Sequence, residues 1–173
     1  MKYLVIVFML HLSISAMATD SQTAAGIPLD TPWKRQIYDY AKANVKHASW
    51  GLPHSERDYQ VTLELASKEG ITIDRDVLFA CAFLHDLGGI PPHQEDGVDH
   101  AVQSAKLIEP LLTQWQFPMR KFPQVKEMIL GHTYYGPKPP SLQAQAFRDA
   151  DILDFLGTIG AARILAITLE PGS

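Results

Sequence analysis

Six segments of this chain repeat apolar residues at the three-to-four spacing of a helix, and nowhere do Val, Ile and Thr alternate as in a half-buried strand. That pattern predicts an all-α fold: a single-domain helical bundle of about six helices. The breakpoints agree. Thr31-Pro32 is a helix start, Thr as N-cap and Pro in the first turn. Gly70 ends a second helix, Asp74 caps a third, and Gly88-Gly89 stops it. The expected helices cover about 32–47, 54–69, 75–87, 99–112, 123–132 and 142–168, the last with a break expected near Asp149. The segments IPPHQEDG (90–97) and YGPKPPS (135–141) read as loops, since clustered prolines fit neither helix interior nor central strand.

The stripes are apolar except at their ends. His85 follows Leu78 and Cys81 by seven and four residues, and His54 precedes Val61 and Leu65 by seven and eleven. His132 follows Val125 and Met128, His100 precedes Leu107 and Leu111, and Asp151 precedes Phe155, all at helical intervals. An imidazole or carboxylate facing a core is costly unless hydrogen-bonded, paired or bound to metal. Sitting near helix ends, these groups can converge without burying charge in mid-core.

Imidazole and carboxylate without thiolate suit borderline and hard divalent ions, here Mn, Mg, Fe or Zn. Two His and two Asp leave coordination positions for water and substrate. The adjacent His85-Asp86 pair cannot point one way on an ideal helix, but at the helix end before Gly88-Gly89 distortion is cheap. Arg57, three residues after His54, shares its face and is expected to hold a substrate anion or pair with Asp86; the alternative is a surface salt bridge. Asp149 reads as a helix-start residue and Asp154 as a supporting or surface acid. His93 and Lys138 are expected in solvated loops, and His47 near a helix C-terminus. The loops 88–97 and 133–141 follow site residues and are the expected substrate rim.

The arrangement His54, His85-Asp86 and Asp151, carried by HSERDYQVTLELA, LFACAFLHDLGG and RDADILDFLGTIGAAR, resembles the HD superfamily of metal-dependent hydrolases. DHAVQSAKLIEPLL and VKEMILGHTYY also resemble intermediate helices of many members, so the resemblance covers about 50–165. It implies a helical bundle that most often hydrolyses phosphate esters, with His54, His85, Asp86 and Asp151 as metal ligands. His100 and His132 match positions that in some members bind a second metal or contact phosphate, while Gly131 stands where dinuclear members carry the first of a His-His pair. The implied reaction is attack of activated water on a small, anionic phosphate ester or nucleotide. Asp86 would ligate, bridge or orient the water; Arg57 or His132 would offset phosphoryl charge; His100 or His132 would protonate the leaving oxygen. The same ligands leave other readings open: a cyanamide-hydratase-like enzyme acting on a nitrile, a di-iron oxygenase, or a secreted metal-binding module without catalysis.

The first 18 residues read as a signal peptide. Lys2 precedes the apolar YLVIVFMLHL, and Ala16-Met17-Ala18 fits a small-x-small cleavage site. An uncleaved anchor is the alternative, although the apolar run is short for a span. The expectation is a secreted or periplasmic chain with a loose arm over 19–30 and the helical domain over 31–173. Lys2 is the only one of the 15 basic residues in that leader, leaving 14 against 19 acidic. Such a balance gives no electrostatic reason to bind nucleic acid, and no other segment is long and apolar enough to span a membrane. The lone Cys81, within VLFACAFL, reads as a small buried hydrophobe that cannot form an internal disulfide.

Overall fold

The computed structural model describes residues 21–169; the leader assigned to 1–18 lies outside them. Among the described residues the chain forms seven α-helices: α1 Pro32–Asn44, α2 Leu52–Glu69, α3 Arg75–Leu84, α4 His100–Gln114, α5 Phe122–Gly131, α6 Leu142–Leu153 and α7 Gly157–Leu169. Two 3₁₀ turns, Leu87–Gly89 and Met119–Lys121, complete the regular structure, and one isolated bridge joins Gln22 to Pro28.

The caps work as read. The Thr31 hydroxyl accepts the Lys34 N–H, and the Asp74 carboxylate accepts those of Asp76 and Val77. Helix α3 is the axis of the molecule. Every residue from Val77 to Leu84 is buried, as expected for a helix apolar all round, and α1, α2 and α5 pack about it. Phe79 lies edge-on to Trp33 at 5.9 Å between ring centres and against Phe83 at 4.7 Å. Such aromatic pairs add about 0.5–1.5 kcal/mol beyond the area they bury. Cys81 is fully buried here, as a small hydrophobe should be.

Helix α3 ends at Leu84 rather than 87, and three further features differ from the sequence reading. Helix α1 stops at Asn44, three residues early, because the chain turns tightly into α2. The His47 Nδ1 accepts the Ser49 and Trp50 N–H groups at 3.0 and 3.2 Å. A Cβ at Gly51 would stand 2.6 Å from the His47 carbonyl oxygen, so this turn requires glycine. The last helical region is two helices, broken after Leu153 rather than near Asp149. Gly157 takes φ +69°, and a Cβ on Gly160 would overlap the Phe155 backbone. Finally, the segment expected to be a loose arm is packed over residues 21–30. Ile27 and Leu29 join the core, the Ala25 N–H is held by Glu56, and Gln60 donates to the Ala25 carbonyl.

No single helix among the described residues is long and apolar enough to cross a membrane. Helix α7 buries only Gly160 and Arg163 and leaves Leu165 and Leu169 exposed.

Candidate metal centre

Five helix ends meet at one point. The first two turns of α2 bring His54, Arg57 and Asp58; the end of α3 brings His85 and Asp86. The start of α4 supplies His100, the end of α5 His132, and the last turn of α6 Asp151 with Asp154 just beyond. His85 and Asp86 do face one centre. Helix α3 ends at Leu84, and Asp86, at φ −95° and ψ 0°, has left helical geometry. The His85 Nε2 consequently lies 3.0 Å from an Asp86 oxygen.

The second ring nitrogens fix which atoms face inward. The His54 Nδ1 lies 2.8 Å from an Asp154 oxygen, the His85 Nδ1 3.1 Å from the Ala82 carbonyl, and the His132 Nδ1 2.6 Å from the Ile129 carbonyl. These oxygens only accept, so each Nδ1 carries a hydrogen, and the Nε2 atoms face inward, free to offer a lone pair to an ion. The His54 Nε2 is 3.1 Å from Asp58, 3.4 Å from Asp86 and 3.4 Å from Asp151. The Nε2 atoms of His54 and His85 and both oxygens of Asp58 are buried without a hydrogen-bond partner. Orphaned buried polar groups cost about 1–3 kcal/mol each, and lone pairs facing carboxylates repel unless a cation lies among them. Adjacent donors around an octahedral ion with bonds of about 2.1 Å are about 3 Å apart, the spacing seen here. The donor set therefore fits a divalent metal, which His54, His85, Asp86 and Asp151 would hold.

The charges respond to one another. Burial opposes charging of His54, yet Asp58, Asp154 and Asp86 hold its pKa at about 10 in the absence of an ion. His85 is likewise raised, against burial, by Asp86. Burial pushes the Asp58 carboxyl up to about 7. Asp86 is held well below the carboxylate range, against burial, by His85, His132 and His54. His100 is lowered, chiefly by burial.

Two residues have roles other than those expected. Arg57 does not meet Asp86 or a substrate space. It makes a bidentate pair with Asp154, Nε to Oδ1 at 2.6 Å and Nη2 to Oδ2 at 2.7 Å, so it positions His54 through that carboxylate. Asp154 is a hub that also accepts from Arg163 at 2.8 Å. His93, read as solvated, lies half-buried, its Nε2 3.4 Å from the Tyr40 hydroxyl. His100 and His132 meet Nε2 to Nε2 at 3.0 Å, each within 3.7 Å of Asp86. Together with His85 and Asp86, His132 forms a second group with the spacing of a metal site. A side chain on Gly131 would strike Pro139, which accounts for the missing neighbour of His132.

A cleft of about 700 Å³ opens over Asp86, Asp151 and His100. The rim uses both expected loops, through Gly88, Gly89 and Gln94 on one side and Thr133, Tyr134 and Tyr135 on the other. It also uses Trp50, Phe155 and Leu156, which the sequence did not announce because they become neighbours only on folding. Lys138 lies with Arg148 in a separate, smaller depression beyond Ile152.

The HD domain model matches residues 51–156, more than half the chain and the span that carries every residue of this centre. The chain belongs to the HD domain family. A crystal structure of a Lactobacillus plantarum protein is similar at 26% identity and TM-score 0.59, covering 82% of this chain and 68% of that one. A predicted HD superfamily hydrolase from an uncultured Thermotogales bacterium is similar at 25% identity and TM-score 0.58, covering 81% and 77%. No curated protein matches. Family and cluster together support a metal-dependent hydrolase of the HD superfamily.

Proposed function

We propose that this HD protein is a phosphohydrolase acting on a small phosphate monoester with an apolar body. One observation carries the reading: the unpartnered Nε2 atoms of His54 and His85 lie against Asp86 and Asp151, which line an open cleft. A divalent ion bound by His54, His85, Asp86 and Asp151 would supply activated water.

The chain's own residues do the rest. Asp154 and the Ala82 carbonyl keep the hydrogens of His54 and His85 on Nδ1, preserving inward lone pairs. The His132 Nδ1 donates to Ile129, so the His100 Nε2 hydrogen is directed toward His132; substrate oxygen in the cleft offers that hydrogen a competing acceptor. His100, its side chain 31% exposed, is accordingly the hydrogen-bond donor that offsets charge on the leaving oxygen.

The walls argue for an apolar leaving group. Trp50, Val98, Tyr134, Tyr135, Phe155 and Leu156 line the cleft, and among the described residues no Lys or Arg does. Arg57 and Arg163 are spent on Asp154. A polyphosphate would face Asp86, Asp99 and Asp151 with little counter-charge beyond the ion, whereas a single phosphoryl group on an apolar body suits both parts. The leader-like residues 1–18 support export, which would place this chemistry outside the cytosol.

The test is phosphate release by the purified chain with added manganese, comparing phenyl phosphate with glycerol phosphate and ATP, and Asp86→Ala beside it. Turnover of phenyl phosphate that vanishes in the variant supports the reading. Preference for ATP would overturn the substrate class. Silence toward every ester from folded, metal-loaded protein would overturn phosphohydrolysis and favour hydration of a nitrile or di-iron chemistry.

A further inference from the structure

We infer that Asp58 is a fifth protein ligand of the metal in this centre. The inference rests on the metal-dependent reading above and adds a residue that the His54, His85-Asp86 and Asp151 pattern does not contain.

Asp58 is fully buried, one helical turn after His54, and neither of its oxygens has a hydrogen-bond partner. The nearest basic residue on its helix, Arg57, is turned away onto Asp154. What Asp58 does face is metal-binding nitrogen: the His54 Nε2 at 3.1 Å and the His85 Nε2 at 3.8 Å. With both Nδ1 hydrogens committed elsewhere, those contacts set lone pair against lone pair. One donor atom from each of His54, Asp58, His85 and Asp151 lies within 4.8 Å of all the others. Opposite corners of an octahedron with bonds of about 2.1 Å are about 4.2 Å apart, so a single ion reaches all four after small adjustment.

One other cation can stand there: a proton on the His54 Nε2. That alternative makes the opposite prediction. A carboxylate that merely holds an imidazolium competes with the metal by keeping the nitrogen protonated, so its removal would tighten metal binding. A ligand's removal weakens it.

Five protein donors have chemical consequences. Three carboxylates against two imidazoles favour hard, oxygen-seeking ions such as Mn²⁺, Mg²⁺ or Fe²⁺ over Zn²⁺. Three carboxylates around a divalent ion leave the centre with net negative charge, in keeping with a substrate bearing one phosphoryl group rather than several. One position of a six-coordinate ion remains for water.

The experiment titrates Mn²⁺ into chelator-treated protein and follows affinity by electron paramagnetic resonance, bound-water number by proton relaxation, and thermal unfolding with and without the ion. The proteins are the parent, Asp58→Asn and Asp58→Ala. We expect Mn²⁺ affinity to fall by at least about tenfold in both variants, the loss usual for a residue tied to the site. We also expect one additional bound water in Asp58→Ala. Without metal, Asp58→Asn should keep the parent's helical circular dichroism and unfold cooperatively, and this guards against a merely misfolded variant. Unchanged or tighter Mn²⁺ binding, or an unchanged water number in Asp58→Ala, would overturn the inference while leaving the metal-dependent reading intact. A parent chain that takes up no divalent ion would overturn both.

Discussion

The carboxylate of Asp154 joins the beginning of the site to its end, and Asp154→Asn is the sharpest test of the architecture. Its side chain is 7% exposed, and it accepts from His54, twice from Arg57 and once from Arg163. An amide of the same size removes the charge and points an NH₂ at donors. Removing one partner of a buried ion pair costs about 3–5 kcal/mol. The Arg57 side chain is 29% exposed, which trims its share toward the ~1 kcal/mol of a surface pair, while Arg163 at 4% keeps the full penalty. The expected loss is therefore about 3–5 kcal/mol. In a domain of this size each kcal/mol moves Tm by about 2–4 °C, so calorimetry should find a fall of about 10 °C. The pH dependence has a definite sign. Burial works against ionisation of Asp154, but Arg57, His54 and Arg163 prevail and hold its pKa below the usual carboxylate range. A depressed pKa contributes stability above the unfolded value of about 4 and loses it as pH falls further. The parent should thus lose stability on acidification more steeply than Asp154→Asn, the two curves converging at low pH. Arg57→Ala combined with Asp154→Asn should cost less than the two singly, since they break one network. A fall in Tm under about 2 °C, or strict additivity, would refute the hub.

Three further outcomes follow from the geometry. Gly88→Ala would put a Cβ 2.5 Å from the Ser104 nitrogen and 2.7 Å from the His100 carbonyl oxygen, forcing α4 outward. Calorimetry should find a loss of about 1–3 kcal/mol, and catalysis should fall with it because His100 opens α4. Chelation should lower Tm, with divalent ion restoring it in proportion to the logarithm of concentration; a Tm indifferent to chelation would argue against the centre. Phe155→Ala should raise KM for phenyl phosphate about tenfold with little change in kcat, as expected when uniform binding to an apolar wall is lost; a fall in kcat alone would point to misalignment through Arg163, whose guanidinium lies over that ring at 4.1 Å.

Much of this site was legible because its groups extend apolar stripes. His54, His85 and Asp151 each stand in register with core residues, and helical spacing alone draws them inward. Asp58 was equally readable in principle: an acid one turn after His54, followed four residues later by the buried Thr62. The familiar ligand pattern does not include it. Arg57 and Asp154 could not be paired from sequence, since they lie 97 residues apart and either had nearer candidates. The packing of 21–30 was hidden for a similar reason. Two apolar residues in a polar stretch carry no periodicity, and their place beside α2 exists only once α2 has formed. The helix breaks at Leu153 rather than Asp149 because Gly157 takes a left-handed φ of +69° and the Phe155 backbone closely approaches Gly160, a local turn that these two glycines mark.

The reciprocal bonds between Ser49 and Arg163, hydroxyl to carbonyl at 2.7 Å and guanidinium to carbonyl at 2.9 Å, fasten the seventh helix beside the turn that launches the second. They also order events in time. A nascent chain that has released residues 50–140 displays His54, His85 and Asp86 but neither the acid that completes the ligand set nor the one that sets the hydrogen on His54. The centre cannot close until Asp151 and Asp154 have emerged, and Arg163 then fastens Asp154 in place. Assembly of the full donor set thus waits on α6, the last of the ligand-bearing helices to be made.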